Sequence, residues 1–173
     1  MKGRDVILGI LQKKPRTGYE INDILQNQIS YFYDGTYGMI YPTLKKLEKE
    51  GKVEKQTIIQ DDKPNKNVFS ITSKGKDELK EYLDSDDVSE VFKSDFLMKL
   101  FFGDNFSRQR IIKLIHNEIR TKEEQINQLK NSLNHWETQG ISKLQKITVG
   151  YGLAEYQAVV KYLKKQLKDL EDD

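Results

Sequence analysis

The side chains best suited to recognition chemistry lie in the first half of the chain. Lys45, Lys46, Lys49 and Lys52 recur at helical spacing, Lys63 and Lys66 flank Pro64-Asn65, and Tyr19, Tyr37 and Tyr41 bring phenol hydroxyls into the same stretch. Cations and phenols in this pattern suit phosphates, each neutralised phosphate adding a salt-dependent term to affinity. A solvated helix face is the plain alternative for Lys45-Lys46-x-x-Lys49, and packing within the domain is the alternative for each tyrosine, whose ring is apolar and only its tip polar. Catalytic chemistry has little to work with. The two histidines, His116 and His135, stand apart, and the sequence holds no His-Glu-x-x-His, Gly-x-Ser-x-Gly or phosphate-cradling Gly-x-x-x-x-Gly-Lys string. The absence of cysteine removes disulfides, thiolate zinc sites and thiol nucleophiles. His116 reads as a helix-surface or interface residue, and Asp61-Asp62 and Asp172-Asp173 read as a solvated loop and tail. No enzyme, cofactor or metal is expected.

The elements that must position these residues are bounded by composition. The 173 residues allow one domain or two small ones, and 36% apolar with 32% charged residues describes a foldable, strongly water-facing chain. No apolar run reaches the roughly 18 to 20 residues that span a bilayer, and the N-terminus lacks a secretory signal, so a cytoplasmic protein is expected. The net charge of +2 is small, but before residue 84 there are 15 lysines and arginines against 12 acids, and afterwards 14 against 15. Any polyanion-binding half is the first.

All three prolines and seven of the eleven glycines also precede residue 84. Val6, Ile7, Leu8, Ile10 and Leu11 predict a short buried helix stopped by Lys13-Lys14-Pro15. Tyr19, Ile21, Ile24, Leu25 and Ile29 predict one apolar stripe on a second helix. Ile40, Leu44 and Leu47 predict the inward stripe of a third helix running from about Gly38 to Glu50, with Pro42 in its first turn and Gly51 as its stop. Lys52–Gln60 and Asn67–Thr72 then read as the two strands of a hairpin with a charged tip, followed by a helix capped by Thr72 or Ser73 with Leu79, Tyr82 and Leu83 inward. Three helices and a two-stranded hairpin make a winged helix-turn-helix, whose third helix can enter the major groove.

After the acidic hinge at 84–87 the pattern is all helical. A helix is expected from about Val88 to Phe102, carrying Val91, Phe92, Phe96, Leu97, Leu100 and Phe101. In the next, Ile115, Ile119, Ile126, Leu129, Leu133 and Trp136 follow the 4–3 spacing of a helix–helix seam, interrupted at Lys122. A last helix, roughly Ser142 to Leu170, carries Leu144, Ile147, Tyr151, Ala154, Ala158, Leu163, Leu167 and Leu170. Gly150 and Gly152 within it predict a close backbone approach or a kink. The aromatics of this half, Phe101, Phe102, Trp136, Tyr151, Tyr156 and Tyr162, read as core and dimer packing, with the walls of a small-molecule pocket as the sharper alternative. Two such helices alone bury little, so the expectation is a second copy of the chain, in a two-fold dimer.

Ile7-Leu8-Gly9-Ile10-Leu11, Gly18-Tyr19-Glu20-Ile21, the run from Gly38-Met39-Ile40-Tyr41-Pro42 to Glu50-Gly51, and Phe69-Ser70-Ile71-Thr72-Ser73-Lys74-Gly75 together resemble the PadR family of bacterial transcriptional regulators. Phe96–Phe102 and the helices after it resemble, more loosely, the longer dimerisation domain of one subgroup. The resemblance implies a dimeric, repressor-type DNA-binding regulator whose small-molecule effector varies among members. Many relatives carry Ser or Thr where this chain has Met39, so this chain has no hydroxyl to offer a phosphate or base there.

The fold class is therefore read as mainly α: a winged-helix DNA-binding domain over residues 1–83 and an all-helical dimerisation domain over 84–173. The DNA-contacting set is Tyr19, Thr36, Tyr37, Gly38, Met39, Tyr41, Pro42, Thr43, Lys45, Lys46 and Lys49, with Lys63, Asn65 and Lys66 at the wing tip. The dimerisation set is Ile115, Ile119, Ile126, Leu129, Leu133, Trp136, Leu163 and Leu167. The partners expected are a pseudo-palindromic double-stranded DNA and a second copy of the chain, with an unidentified effector and no membrane. The rival reading is a winged-helix module for protein–protein interaction without sequence-specific DNA binding.

Overall fold

The structure, a computed structural model, describes residues 2–59 and 65–172. It forms two compact units, Met1–Glu90 and Val91–Asp173. Among the described residues no helix is long and apolar enough to cross a membrane.

In the first unit, helix α1 (Gly3–Leu11) buries Ile7, Leu8, Ile10 and Leu11, which accounts for its apolar density. Helix α2 (Gly18–Asn27) begins with a reciprocal cap: Thr17 Oγ1 accepts from the Glu20 backbone N–H at 3.2 Å, and the Glu20 carboxylate accepts from the Thr17 backbone N–H at 2.7 Å. The hydrogen bonds from the Thr17 backbone and then its hydroxyl hold the Glu20 carboxyl below its ordinary range. Ile21, Ile24 and Leu25 face the core. Tyr19 does not, being 78% exposed. Two residues from Ile21, it lies on nearly the opposite side of the helix, which corrects the stripe expected from spacing.

Helix α3 (Tyr37–Lys49) buries Ile40, Leu44 and Leu47, as its spacing predicts. It starts at Tyr37, so Pro42 lies in the second turn instead of the first. Gly51, at φ +70°, makes the left-handed stop. Strands β2 (Val53–Ile58) and β3 (Lys66–Ile71) pair antiparallel in the register Val53↔Ile71 to Ile58↔Lys66. The sheet has a third strand that the hydrophobic pattern does not reveal. Strand β1 (Arg16–Thr17) pairs with the other edge of β3, Arg16 opposite Phe69, giving the order β1-β3-β2. Two residues are too short to show a period of two.

Helix α4 (Ser73–Asp84) is capped by Thr72, whose hydroxyl accepts from the Gly75 N–H at 3.1 Å and donates to the Gly51 carbonyl at 2.8 Å. A Cβ on Gly75 would fall 2.2 Å from the Lys52 carbonyl oxygen, so glycine there lets α4 seat against the exit of α3. Leu79 is buried and Tyr82 packs on the core, but Leu83, in the last turn, is exposed.

In the second unit, the helix expected from Val88 shortens to α5 (Asp95–Phe101), started by Ser94, whose hydroxyl accepts from the Leu97 N–H. Val88, Val91 and Phe92 are non-helical and exposed, and no residue of α5 is fully buried, Phe96 and Leu100 being half-buried. Helices α6 (Arg108–Thr138) and α7 (Lys143–Asp172) form an antiparallel hairpin turned at Gly140, φ +83°. Lys146–Glu137 at 2.7 Å and Lys164–Glu123 at 2.6 Å pair across it, and Arg108 Nε donates to the Leu170 carbonyl at 2.6 Å.

The α6 seam, which the spacing alone leaves without a partner, is closed within the chain. Ile115, Ile119, Ile126 and Leu129 of α6 and Val149, Tyr156, Val160, Leu163 and Leu167 of α7 are buried, and Leu133 and Trp136 are half-buried. Lys122 is accommodated by its ammonium lying 4.8 Å from the Tyr156 ring centroid. Leu144, Ile147, Tyr151, Ala154 and Ala158, expected to face inward, are instead outside the seam: Leu144, Ile147 and Tyr151 are exposed on another face of α7, and Ala154 and Ala158 follow them on it. Gly152 is buried, while a Cβ on Gly150 would meet nothing within 4 Å, so no close approach occurs there within the chain.

Candidate nucleic-acid interface

The inward stripe of α3 fixes what its other side presents. With Ile40, Leu44 and Leu47 buried, Tyr37, Gly38, Tyr41, Pro42, Lys45, Lys46 and Lys49 are exposed, together with Thr36 before the helix, and Thr43 is half-buried. Tyr37 and Tyr41 remain 49% and 46% exposed, and their rings meet edge to face at 5.9 Å. Burial of the Tyr41 phenol, and next its hydrogen bond to Tyr37, raise it above its ordinary range. Thr36 is the N-cap by position, yet its hydroxyl makes no cap hydrogen bond, leaving it available to an incoming acceptor.

The lysines on this face are uncommitted. Among the described residues Lys45, Lys46 and Lys49 meet no acid within 4 Å, whereas Lys52, Lys80, Lys99, Lys122, Lys146 and Lys164 each do. An ammonium without a carboxylate partner retains its full charge for a phosphate. Asn65 and Lys66 are exposed at the loop end of the hairpin, where Lys66 pairs with Ile58, and Lys63 lies outside the described residues. Tyr19 stands exposed in the first turn of α2.

Met39 is the exception in the set expected to touch DNA. It is half-buried against the core, its sulfur accepts a hydrogen bond from the Tyr33 hydroxyl at 3.3 Å, and its methyl group sits where a Cβ on Gly3 would be, 2.4 Å away. The side chain therefore packs between α1 and the loop before α3. In place of a hydroxyl at this position the chain has a packing contact.

The C-terminal end of α3 is tied to α1 and α4 by a four-charge cluster with no signature in the sequence. Arg4 of α1 bonds Glu50 at the end of α3 at 2.5 Å and Glu78 of α4 through Nε at 2.5 Å; Lys52 bonds Glu50 at 3.0 Å and also pairs with Glu78. The hydrogen bonds from Arg4 and then Lys52 lower the Glu50 carboxyl to about 2. At Glu78 burial pulls upward, but the hydrogen bonds from Lys52 and Arg4 outweigh it, leaving that carboxyl below its ordinary range. At the other end of α3, Gln26 Nε2 donates to the Gly35 carbonyl at 2.7 Å, tying α2 to the loop before α3. Thr17-x-x-Glu20 is a legible cap signature; the Arg4–Glu78 pairing, 74 residues apart, leaves no sequence signal.

Neither histidine sits in such a setting: His116 lies 3.6 Å from Glu171 and His135 bonds Gln139, both on the exposed side of α6.

Residues 7–81 match the Transcriptional regulator PadR-like family and residues 92–171 match the Virulence activator alpha C-term family. The solved structure of smu.1604c from Streptococcus mutans UA159 is 57% identical, with a TM-score of 0.90 over 97% of this chain and 99% of that one. Bacillus subtilis PadR in complex with operator DNA has a TM-score of 0.84 at 26% identity, over 96% of this chain and 98% of that one. The Bacillus subtilis protein described as Negative transcriptional regulator PadR is 32% identical over 127 residues, 73% of this chain and 70% of its own length. Two matches that tile the chain in the order winged helix then helical unit, and a relative covered over more than two thirds of its length, lead to one conclusion: the chain belongs to the PadR-like family of transcriptional regulators.

Proposed function

We propose that this chain is a homodimeric repressor that binds a pseudo-palindromic operator, residues 1–83 reading the DNA and residues 84–173 holding two copies together in the bacterial cytoplasm. The observation that carries the reading is the outer face of α3, where uncommitted Lys45, Lys46 and Lys49 share a surface with the hydroxyls of Thr36, Tyr37 and Tyr41. In helix-turn-helix proteins the early residues of the recognition helix meet base edges, and flanking cations meet phosphates. The likeness to a PadR bound to operator DNA supports the same use of the face, and the relative described as a negative regulator supports repression. Dimerisation is supported by the apolar surface of the second unit that the α6–α7 hairpin leaves uncovered. Ile115, Ile119, Ile126, Leu129, Leu133, Trp136, Leu163 and Leu167 then act in the dimer by shaping that hairpin. In such a dimer the two copies of α3 stand about 34 Å apart and read two half-sites one turn of DNA apart, and an effector acts by altering that spacing.

The test is selection of bound fragments from sheared bacterial genomic DNA with the purified protein, then fluorescence anisotropy at several salt concentrations. A recovered palindrome bound far more tightly than unrelated DNA is the expected result. Binding that is weak, independent of sequence and abolished near physiological salt overturns the reading in favour of a protein-interaction module.

A further inference from the structure

Most glycines of the first unit have a local steric or backbone reason; two do not, Gly9, where an added Cβ would only touch Leu79 Cδ1 at 3.9 Å, and Gly38, where it would stand in open space. At Gly3, Gly18, Gly35 and Gly75 an added Cβ would come within 3.0 Å of a neighbouring atom, and Gly51 has a positive φ. Gly38 has neither reason. It is an exposed residue of α3 with an ordinary φ, and a Cβ there would meet nothing within 4 Å. Glycine is nevertheless the poorest helix former apart from proline. A second observation falls on the same residue. In an α-helix the carbonyl of residue 38 accepts from the N–H of residue 42, and residue 42 is Pro42, which has none. The backbone at Gly38 is thus bare of side chain and its carbonyl is without its helical donor, on the side of α3 that carries Tyr41 and Lys45.

We propose that Gly38 is the point of closest approach between α3 and the DNA, its missing side chain admitting the base edges and its free carbonyl accepting a hydrogen bond from an exocyclic amine. In the major groove only adenine N6 and cytosine N4 offer such a donor, so the contact would specify an amine-bearing base at one position of each half-site. The inference rests on the DNA-binding reading of α3 and deepens it: Pro42 acts as a positioning residue that keeps the carbonyl of Gly38 unoccupied.

The test uses the full chain, the operator recovered by selection, and two variants. Gly38→Ala adds only a methyl group in open space, and Pro42→Ala restores the N–H that caps the carbonyl. Both are expected to keep or raise Tm, since alanine favours the helix at each position, while operator affinity falls by roughly tenfold or more. Replacing the contacted base pair should cost the wild type as much and the variants nothing further. If both variants keep wild-type affinity, the proposal is overturned; if Gly38→Ala alone weakens binding, close approach stands and the carbonyl contact is overturned. If the wild type recovers no operator, the DNA-binding reading itself has failed, a result distinct from either.

Discussion

Tyr41 of α3 lies directly over Gly18 at the start of α2: a Cβ on Gly18 would fall 2.7 Å from the Tyr41 hydroxyl oxygen and 2.8 Å from Cζ. One glycine in the second helix therefore sets where a phenol of the third helix points. Gly18→Ala must move the ring, and because Tyr41 is 46% exposed the ring can swing into solvent. The gain of alanine in a helix offsets the packing given up by the ring, so stability is expected to change by less than about 1 kcal/mol. Operator affinity should nonetheless fall, because the hydroxyl leaves its position. Thermal melts alongside anisotropy separate the two effects, and a large drop in Tm would show that the packing of Tyr41 on Gly18 is structural.

The cluster joining Arg4, Glu50, Lys52 and Glu78 makes stability depend on pH in a defined direction. Both carboxyls are held below their ordinary 4.5, Glu50 at about 2. A carboxylate stabilised in the folded state contributes fully above the unfolded pKa and loses its contribution as pH falls through the folded one. Stability is therefore expected to decline between about pH 4.5 and 2, more steeply in the wild type than in Glu78→Gln. That variant, removing a half-buried carboxylate between two cations, should be destabilised by on the order of 1 kcal/mol at neutral pH. Equal acid dependence in both proteins would remove the cluster from the account.

Reversing charge at Lys45 and Lys46 should leave folding alone, because both are exposed and neither is paired among the described residues. For a DNA binder the same change weakens operator and non-operator DNA together. The slope of log affinity against log salt should shrink by about 1 for each phosphate no longer neutralised. An unchanged slope in Lys45→Glu/Lys46→Glu would place the phosphate-binding cations elsewhere.

Helix α3 is legible in the sequence because its signals are local: Ile40, Leu44 and Leu47 repeat at helical spacing, and Gly51 ends the run where a left-handed residue is needed. Strand β1 is not, since it exists only because β3 offers a second edge to Arg16 and Thr17. The stretch from Val88 to Phe92 misleads through apolar density without periodicity, and its exposed Val88, Val91 and Phe92 stay uncovered. Met39 is placed at the interface by its neighbours in sequence, but the space beside Gly3 and the hydroxyl of Tyr33 draw it inward, a tertiary cause with no trace in the local pattern. On α6 the 4–3 spacing marks a seam, while what covers it depends on the turn at Gly140 and the pairing of Lys164 with Glu123.

That seam leaves α7 with two apolar faces that mutation can separate. Val149, Tyr156, Val160, Leu163 and Leu167 are buried against α6, whereas Leu144, Ile147 and Tyr151, spaced three and four apart, are exposed and continue through Ala154 and Ala158. Five positions at that spacing make a stripe wide enough for a partner helix, and Gly150 beside it would let that helix come close. Ile147→Asp is therefore expected to leave the helical content and the hairpin intact while light scattering falls from twice the 20.3 kDa chain mass to the mass of one chain. Ile119→Ala, in the closed seam, should instead cost roughly 2–5 kcal/mol of stability by leaving a cavity between α6 and α7. If Ile147→Asp remains dimeric, the outer face of α7 is not where the copies meet, and the exposed apolar side chains of α5, Leu97, Met98 and Phe101, become the surface to mutate next.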